Sequence, residues 1–223
     1  MSVAVAIQPE HQTRASLYNL LGMPFRFPEE RVVKSFITGD WQKELSVCFR
    51  GLGISFPELD DLRLGLSAKQ YEVEFIALYE VGMGGAPCPL HSGHYARDRM
   101  TVMEEVLRFY RFFDYIPDRS ADRFPDHINF ELEFMGHMAQ RHEEALRDSG
   151  DEQSLLLAQR DFITRNLVSW LPDLSQRIDQ RSEVEFFKAV GRCANQVVQL
   201  DSVMLQQQAE KLELAEGGEF PNE

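Results

Sequence analysis

The chain has 223 residues, a length that fits one domain with a core of its own, and its composition, 43% hydrophobic and 26% charged, is that of a globular protein. A net charge of −13 argues against nucleic acid and anionic membrane surfaces, which are held mainly by Lys and Arg, and makes a cationic partner the electrostatic match. No apolar run approaches the roughly 20 residues of a membrane span, and the first residues lack the basic start of a signal peptide, so we expect a cytoplasmic protein without stable membrane insertion.

In the first part of the chain, apolar residues recur at helical spacing, and Gly and Pro interrupt the pattern. It predicts helices over residues 10–21, 28–37, 41–49 and 68–81. Ser67 and Gln70 form a capping-box pattern, in which each side chain bonds to the other residue's backbone N–H, and this pattern predicts the start of the fourth helix.

A long loop follows the fourth helix. Residues 82–94 are dense in Gly and Pro, and a loop of this length in a compact domain is often functional. An aromatic-rich helix is predicted over residues 95–113. A second loop, residues 116–123, carries Asp118 and Asp122.

The next helix is predicted to begin at Pro125, which cannot occupy a helix interior, with Asp126 able to accept hydrogen bonds from the free backbone N–H groups of the first turn. Two interpretations of this start remain open. Asp126 is either only a helix cap or part of an acidic site with His127 and Glu131, which are neighbours four residues apart. In both cases we expect Asp126→Asn to leave stability nearly unchanged, because Asn caps equally well, and only the site predicts weaker binding of a cationic partner. The apolar face of this helix is predicted to contain Ile128, Leu132, Met135, Ala139, His142 and Leu146.

Three further helices are predicted over residues 155–170, 173–180 and 182–211, the last opened by a second capping-box pattern, Ser182 with Glu185. No run shows the sustained alternation of a half-buried strand. We therefore predict an all-α fold, a single-domain helical bundle with a long Gly/Pro loop between its central helices. The domain is predicted to span residues 1–214, and residues 215–223 to form a disordered tail.

Two catalytic alternatives were weighed against a binding role. Cys88, His91 and His94 form a Cys-x2-His-x2-His array, and His127 with Glu131 could add ligands, so a small all-α metal-dependent enzyme is the competing hypothesis. Nucleophilic catalysis has only Ser92 between two histidines to support it. The three cysteines are odd in number and widely spread, which argues against a disulfide framework.

Three motifs in order resemble one family. They are an aromatic helix with Phe75 and Tyr79, a loop with Pro87, Pro89, Ser92 and Tyr95, and a Pro-Asp-His helix start followed by Glu131, Phe134 and Met135. Together they resemble the TorD/DmsD/NarJ family of redox-enzyme maturation chaperones. The likeness covers most of the chain, although residues 82–85 and the histidine pair around Ser92 depart from the family pattern.

The resemblance implies a helical chaperone with no catalysis and no cofactor of its own. Such proteins bind the apo catalytic subunit of a molybdopterin oxidoreductase, often at its N-terminal twin-arginine region, and assist cofactor insertion and assembly before export. We expect the departures in the loop to mark the branch that serves type II molybdoenzymes. We expect a monomer or weak homodimer. The implied client-binding residues are Asp126, His127, Glu131, Tyr79, Pro87, Pro89, Ser92, Tyr95 and Phe134.

The two hypotheses differ in what the purified protein contains. A chaperone of this kind should be colourless and hold no stoichiometric metal, and elemental analysis would check this. About one zinc per chain, lost on His91→Ala, would instead support the metalloenzyme.

Overall fold

A computed structural model describes residues 10–82, 84–117, 124–148 and 150–217. These residues form nine α-helices: α1 Glu10–Gly22, α2 Glu30–Thr38, α3 Asp40–Leu52, α4 Ala68–Tyr79, α5 Arg99–Phe112, α6 Ile128–Asp148, α7 Glu152–Phe162, α8 Leu171–Arg181 and α9 Glu185–Gly217. A π-helical turn, Ile163–Leu167, follows α7. The described residues contain no strand beyond one isolated antiparallel bridge between His91 and His127, so the predicted all-α fold is confirmed. None of the described helices has both the length and the apolar character needed to span a membrane.

Helix α6 lies at the centre of the bundle. Its side chains are buried on several faces, and α1 packs along it more extensively than any other helix. The two helices approach closely at Gly136, where a Cβ atom would lie 3.1 Å from the backbone oxygen of Ala15 and 3.4 Å from the Cβ of Tyr18. A larger residue at position 136 would therefore force the helices apart.

A buried ion pair joins the first helix to the last. Arg14 donates from Nε and Nη2 to the two carboxylate oxygens of Asp201, each at 2.9 Å, and the Tyr18 hydroxyl donates to the same carboxylate at 2.5 Å. Both charged side chains are more than nine-tenths buried. Two parallel hydrogen bonds fix the geometry of an Arg–carboxylate pair, so this contact sets the register between α1 and α9.

Most predicted helices occur near their predicted positions. The capping box of Ser67 and Gln70 is present in both directions. Several predicted boundaries were wrong. Helix α6 begins at Ile128 and not at Pro125, and three further differences have a clear cause. Helix α5 begins at Arg99 rather than at residue 95, because Asp98 caps it by accepting from the N–H groups of Met100 and Thr101. The helix predicted through residue 170 ends at Phe162 and continues as the π-helical turn.

The third error is the second capping box. Helix α9 begins at Glu185 itself, and the Ser182 hydroxyl accepts from the N–H of Val184. The Glu185 carboxylate accepts from Arg192 instead of reaching back to the helix start. A charged partner on the same helix outcompetes the weaker reciprocal bond to the backbone.

The predicted apolar stripe of α6 is buried at every position except Leu146, which is 45% exposed near the end of the helix. Asp118, Asp122 and residues 218–223 of the predicted tail lie outside the described residues. Residues 215–217, predicted as part of that tail, belong to α9.

We expect Asp201→Asn to lower the free energy of unfolding by about 3 kcal/mol, because it leaves the buried Arg14 cation without its counter-charge. Denaturant unfolding monitored by circular dichroism would measure the change. Glu44→Gln, at an exposed position of α3, serves as a control that should unfold like the wild type. Equal stability of the two variants would show that the pair sets geometry without stabilising the fold.

Candidate functional site

Residues 84–98, here called the proline loop, run from the end of α4 to the start of α5. Hydrogen bonds hold the loop at Cys88, between its two prolines, and at Pro89. The N–H of Cys88 donates to the carbonyl oxygen of Leu78 at 3.0 Å, and the hydroxyl of Tyr95 donates to the carbonyl oxygen of Pro89 at 3.0 Å. The loop therefore has a defined conformation.

The proline loop pairs with the segment that leads into α6. The N–H of Ser92 donates to the carbonyl oxygen of Asp126 at 2.9 Å, and the N–H of Ile128 donates to that of Leu90 at 2.9 Å. These bonds form the isolated bridge between His91 and His127. The structure thus brings together two motifs that lie about 35 residues apart in the sequence.

Asp126 is fully buried and faces the proline loop. Its Oδ2 accepts the N–H of Gly93 at 3.1 Å, its Oδ1 lies 3.2 Å from Nδ1 of His91, and Nε of Arg99 lies 4.0 Å from Oδ2. Burial by itself raises the pKa of this carboxyl, but the hydrogen bonds from His91 and Gly93 and the charge of Arg99 outweigh it and hold the pKa below its usual value of 3.8. Asp126 is therefore a carboxylate that fixes the loop.

Glu131, one turn further along α6, is also fully buried. Its two oxygens accept from the Ser92 hydroxyl at 2.7 Å and from the indole N–H of Trp170 at 3.1 Å. Burial raises its pKa to about 8, although these two hydrogen bonds act in the opposite direction. Near neutral pH Glu131 is thus largely a protonated acid, whereas Asp126, the nearby carboxyl, is charged.

The capping interpretation of Asp126 is wrong. The first turn of α6 is capped by His127, whose Nδ1 accepts the N–H of Asn129 at 3.3 Å. The Asp126 carboxylate points away from the helix, toward His91 and Gly93. The reason to expect unchanged stability in Asp126→Asn is thereby removed, and we expect a loss of stability instead, because the charge is buried and hydrogen-bonded.

The predicted site residues divide into two groups by exposure. Those fully or almost fully buried are Tyr79, Ser92, Asp126, His127, Glu131 and Phe134. Pro87, Pro89 and Tyr95 are half-buried, on the outer side of the loop. In this conformation, only the second group can touch another molecule.

The two buried aromatic members of the set belong to different parts of the core. Tyr79 packs edge-on against Phe75 and Phe187. Phe134 lies in a separate aromatic cluster, 4.5 Å from the ring centroid of Phe162 and 5.0 Å from that of Tyr110. The Tyr79 ring thus packs α4 against α9, and the Phe134 ring packs α6 against α5 and α7.

The ligands of the metalloenzyme hypothesis are not assembled. The described residues contain no group of three or more His, Cys, Asp or Glu side chains placed to hold a metal ion. Cys88 is fully buried, and burial raises the pKa of its thiol to about 11. His94 is exposed, and Nδ1 of His127 is occupied by the cap.

Sequence analysis missed three residues of the site. Trp170 binds Glu131, Gly93 binds Asp126, and Arg99 lies with its guanidinium carbon 4.7 Å from the centroid of the Phe124 ring. Of these, only Gly93 carries a local signal, its place in the Ser-Gly-His segment. A Cβ at position 93 would lie 2.5 Å from Cγ of Arg99 and 2.8 Å from Oδ2 of Asp126, so the close approach requires glycine.

Comparison with known proteins gives the family. The sequence model of the nitrate reductase delta subunit family matches residues 52–176, which include the proline loop, the Pro-Asp-His segment and Trp170. The chain belongs to this family of redox-enzyme maturation chaperones. The resemblance drawn from the three motifs is thereby confirmed.

Two relatives are assembly chaperones. The chain is 37% identical over 116 residues to the chlorate reductase assembly chaperone protein of Ideonella dechloratans, a match that covers 51% of this chain and 60% of that protein. It is 32% identical over 149 residues to the selenate reductase assembly chaperone protein of Thauera selenatis, covering 66% of this chain and 76% of the relative. These relatives are named as chaperones and not as enzymes, which agrees with the prediction of a non-enzyme.

A solved structure shares the fold. The crystal structure described as that of a redox enzyme maturation protein from Archaeoglobus fulgidus aligns with a TM-score of 0.52 at 18% sequence identity. The alignment covers 83% of this chain and 93% of the other. This likeness supports the helical architecture.

The raised pKa of Glu131 predicts a pH dependence of stability. Below pH 4.5 the carboxyl is protonated in the folded and the unfolded chain. Between pH 4.5 and about 8 the unfolded chain ionises while the folded one keeps its proton, so the free energy of unfolding falls as pH rises. Relative to Glu131→Gln, which mimics the protonated acid, the wild type should lose at least about 1 kcal/mol between pH 5 and pH 8.

Urea unfolding of both proteins at several pH values would measure this difference. The comparison with the variant removes the contribution of histidines that titrate in the same range. Parallel pH profiles would show that Glu131 ionises normally in the folded protein.

Proposed function

We propose that this protein is a cytoplasmic, system-specific chaperone that binds the apo catalytic subunit of a molybdopterin oxidoreductase and assists cofactor insertion and assembly before export. Its client is a reductase of the kind served by the chlorate and selenate reductase chaperones, and the contact includes the client's N-terminal twin-arginine region. It acts without a cofactor of its own, as a monomer or weak homodimer. Membership of the family of assembly chaperones supports the class of function.

The observation that carries the proposed site is that buried hydrogen bonds hold the proline loop in place. Asp126 and Glu131 together accept hydrogen bonds from Gly93, Ser92 and Trp170. A loop on the surface of a helical bundle does not need two buried carboxyl groups for the core to pack, and burying them is unfavourable unless they are well bonded. Their presence is explained if the loop must be presented in one conformation to a partner.

In this proposal the buried residues position the site and the outer residues contact the client. Asp126, His127, Glu131 and Ser92 hold the loop, while Tyr79 and Phe134 support it from the core. Pro87, Pro89 and Tyr95 form the contact surface, and two prolines present it with little loss of conformational entropy on binding.

Binding of the twin-arginine region requires exposed carboxylates. Asp126 and Glu131 are buried and cannot supply them. Glu80 and Val81 are exposed where α4 enters the loop, close to Pro87, whose Cδ lies 3.1 Å from where a Cβ of Gly82 would stand. An acid beside an apolar residue suits an arginine followed by an apolar stretch. We therefore place the basic end of the client's segment at Glu80.

The metal-dependent enzyme is the weaker alternative. Its five ligands would have to come together although the Cys88 thiol is buried, His127 caps α6 and His94 is exposed. The relatives are also named as chaperones.

Binding to a whole apo catalytic subunit tests the positioning role. Asp126→Asn should lower the free energy of unfolding by about 1–3 kcal/mol, because a buried charged hydrogen-bond acceptor is lost, yet the protein should stay folded. With the loop released, the affinity for the subunit should fall roughly tenfold or more. Calorimetric titration of folded protein would measure this change, with Glu44→Gln as a control of equal charge change.

A second arm isolates the twin-arginine contact. Glu80→Gln should weaken binding of the client's N-terminal peptide, and replacing the arginine pair of that peptide by alanine should have the same effect in the wild type. If Asp126→Asn binds the subunit like the wild type, the loop is not the site. If the subunit without its N-terminal region binds as tightly as the whole subunit, the twin-arginine contact is contradicted, while the chaperone function is still supported.

A further inference from the structure

Three arginines lie near the proline loop, although the chain as a whole carries a charge of −13. Arg99 is 38% exposed and lies over the Phe124 ring. Arg177 is exposed and lies with its guanidinium carbon 4.8 Å from the centroid of the Tyr95 ring. Arg181 is exposed one turn along α8 from Arg177 and therefore lies on the same face. We call Arg99, Arg177 and Arg181 the arginine rim.

The rim is a connected part of the site. The Tyr95 ring that lies under Arg177 also stands 5.1 Å from the Trp170 ring, and Trp170 binds Glu131. Exposed His94 lies near both Arg99 and Arg177, whose charges act on it. Its pKa is lowered first by partial burial and then by Arg99 and His91, with a further contribution from Arg177.

Two of the three rim arginines have no salt-bridge partner within the described part of the chain. Arg177 and Arg181 form no salt bridge there, in contrast to Arg192 on the neighbouring helix, which binds three carboxylates. Arg99 has only the buried Asp126 beneath it. Of the nearby exposed acids, Asp98 caps α5, and Asp173, four residues before Arg177 on α8, forms no salt bridge with it.

Stacking on a ring holds a guanidinium flat and leaves its N–H edge directed outward. That edge forms paired hydrogen bonds with a carboxylate. Phe124, 53% exposed beside Arg99, adds an apolar contact. The preferred ligand is therefore an anion with an apolar group close to it.

We propose that the arginine rim binds a short acidic segment of the client polypeptide that contains an apolar residue between its carboxylates. Arg99 and Arg177 lie on two different rings, those of Phe124 and Tyr95, and Arg181 follows one turn along α8, so the rim offers three separate guanidinium groups. Separate carboxylates of a peptide match this arrangement better than one compact phosphate does. The proposal rests on the proposed function for the identity of the partner, and it adds a second contact of opposite charge to the one at Glu80.

The first test uses peptides and does not depend on any client. A fluorescently labelled peptide of glutamates around one phenylalanine should bind the full-length protein, whereas its glutamine analogue should not. Arg177→Glu with Arg181→Glu should weaken binding at least roughly tenfold, because two charge-assisted contacts become repulsive. Arg31→Glu with Lys34→Glu, exposed on α2, makes the same change in net charge and should leave binding within about twofold.

Circular dichroism and thermal unfolding would show that both double variants are folded. Equal loss in the two double variants, or no binding of the acidic peptide by the wild type, overturns the proposal. Complete displacement of the peptide by inorganic phosphate at similar concentration would also overturn it, because it would identify a compact-anion site.

The second test uses the whole apo catalytic subunit. If the α8 variant binds the acidic peptide poorly but the subunit normally, the client does not use the rim, and the proposal fails while the chaperone function stands. If the wild type binds the acidic peptide but no subunit, the proposed function fails and the rim remains an acidic-peptide site.

Discussion

Two carboxyl groups buried at the start of α6 determine the conformation of the proline loop and its contact with the turn before α8. Asp126 and Glu131 cannot reach water, so their oxygens must be bonded within the protein. The proline loop supplies the N–H of Gly93 and the hydroxyl of Ser92, and the turn before α8 supplies the indole of Trp170. Two acids, one just before α6 and one in its first turn, thus connect three segments that are distant in sequence.

The two acids are held in different states. Asp126 is charged because His91, Gly93 and Arg99 stabilise the anion, while Glu131, surrounded by apolar core, keeps its proton to about pH 8. A charged group gives strong, directional bonds to the loop backbone, and a neutral one is less unfavourable deeper in the core. This division explains how the site contains two carboxyl groups close together without a strong repulsion between them.

Two separate buried polar contacts therefore organise the molecule. The pair of Arg14 and Asp201 connects α1 with α9 and sets the architecture of the bundle. The contacts of Asp126 and Glu131 place a surface loop, with Glu80 exposed at its entry and the arginine rim at its exit. A loop that is rigid, rich in proline and bounded by opposite charges is suited to holding an extended chain in one direction, which agrees with the proposed handling of an unassembled subunit.

The sequence by itself determined the helical class, the approximate position of most helices, the long loop and the family. These features depend on local periodicity, on Gly and Pro, and on motifs read in order, such as the capping box of Ser67 and Gln70. Only the tertiary structure decided what Asp126 does: spacing made it a cap or an exposed acid, whereas its partners come from a loop more than 30 residues earlier. It also decided that Glu131 meets Trp170 and that Arg177 stacks on Tyr95. Such contacts depend on how separate helices pack, and short-range sequence patterns carry no information about partners that the fold brings together.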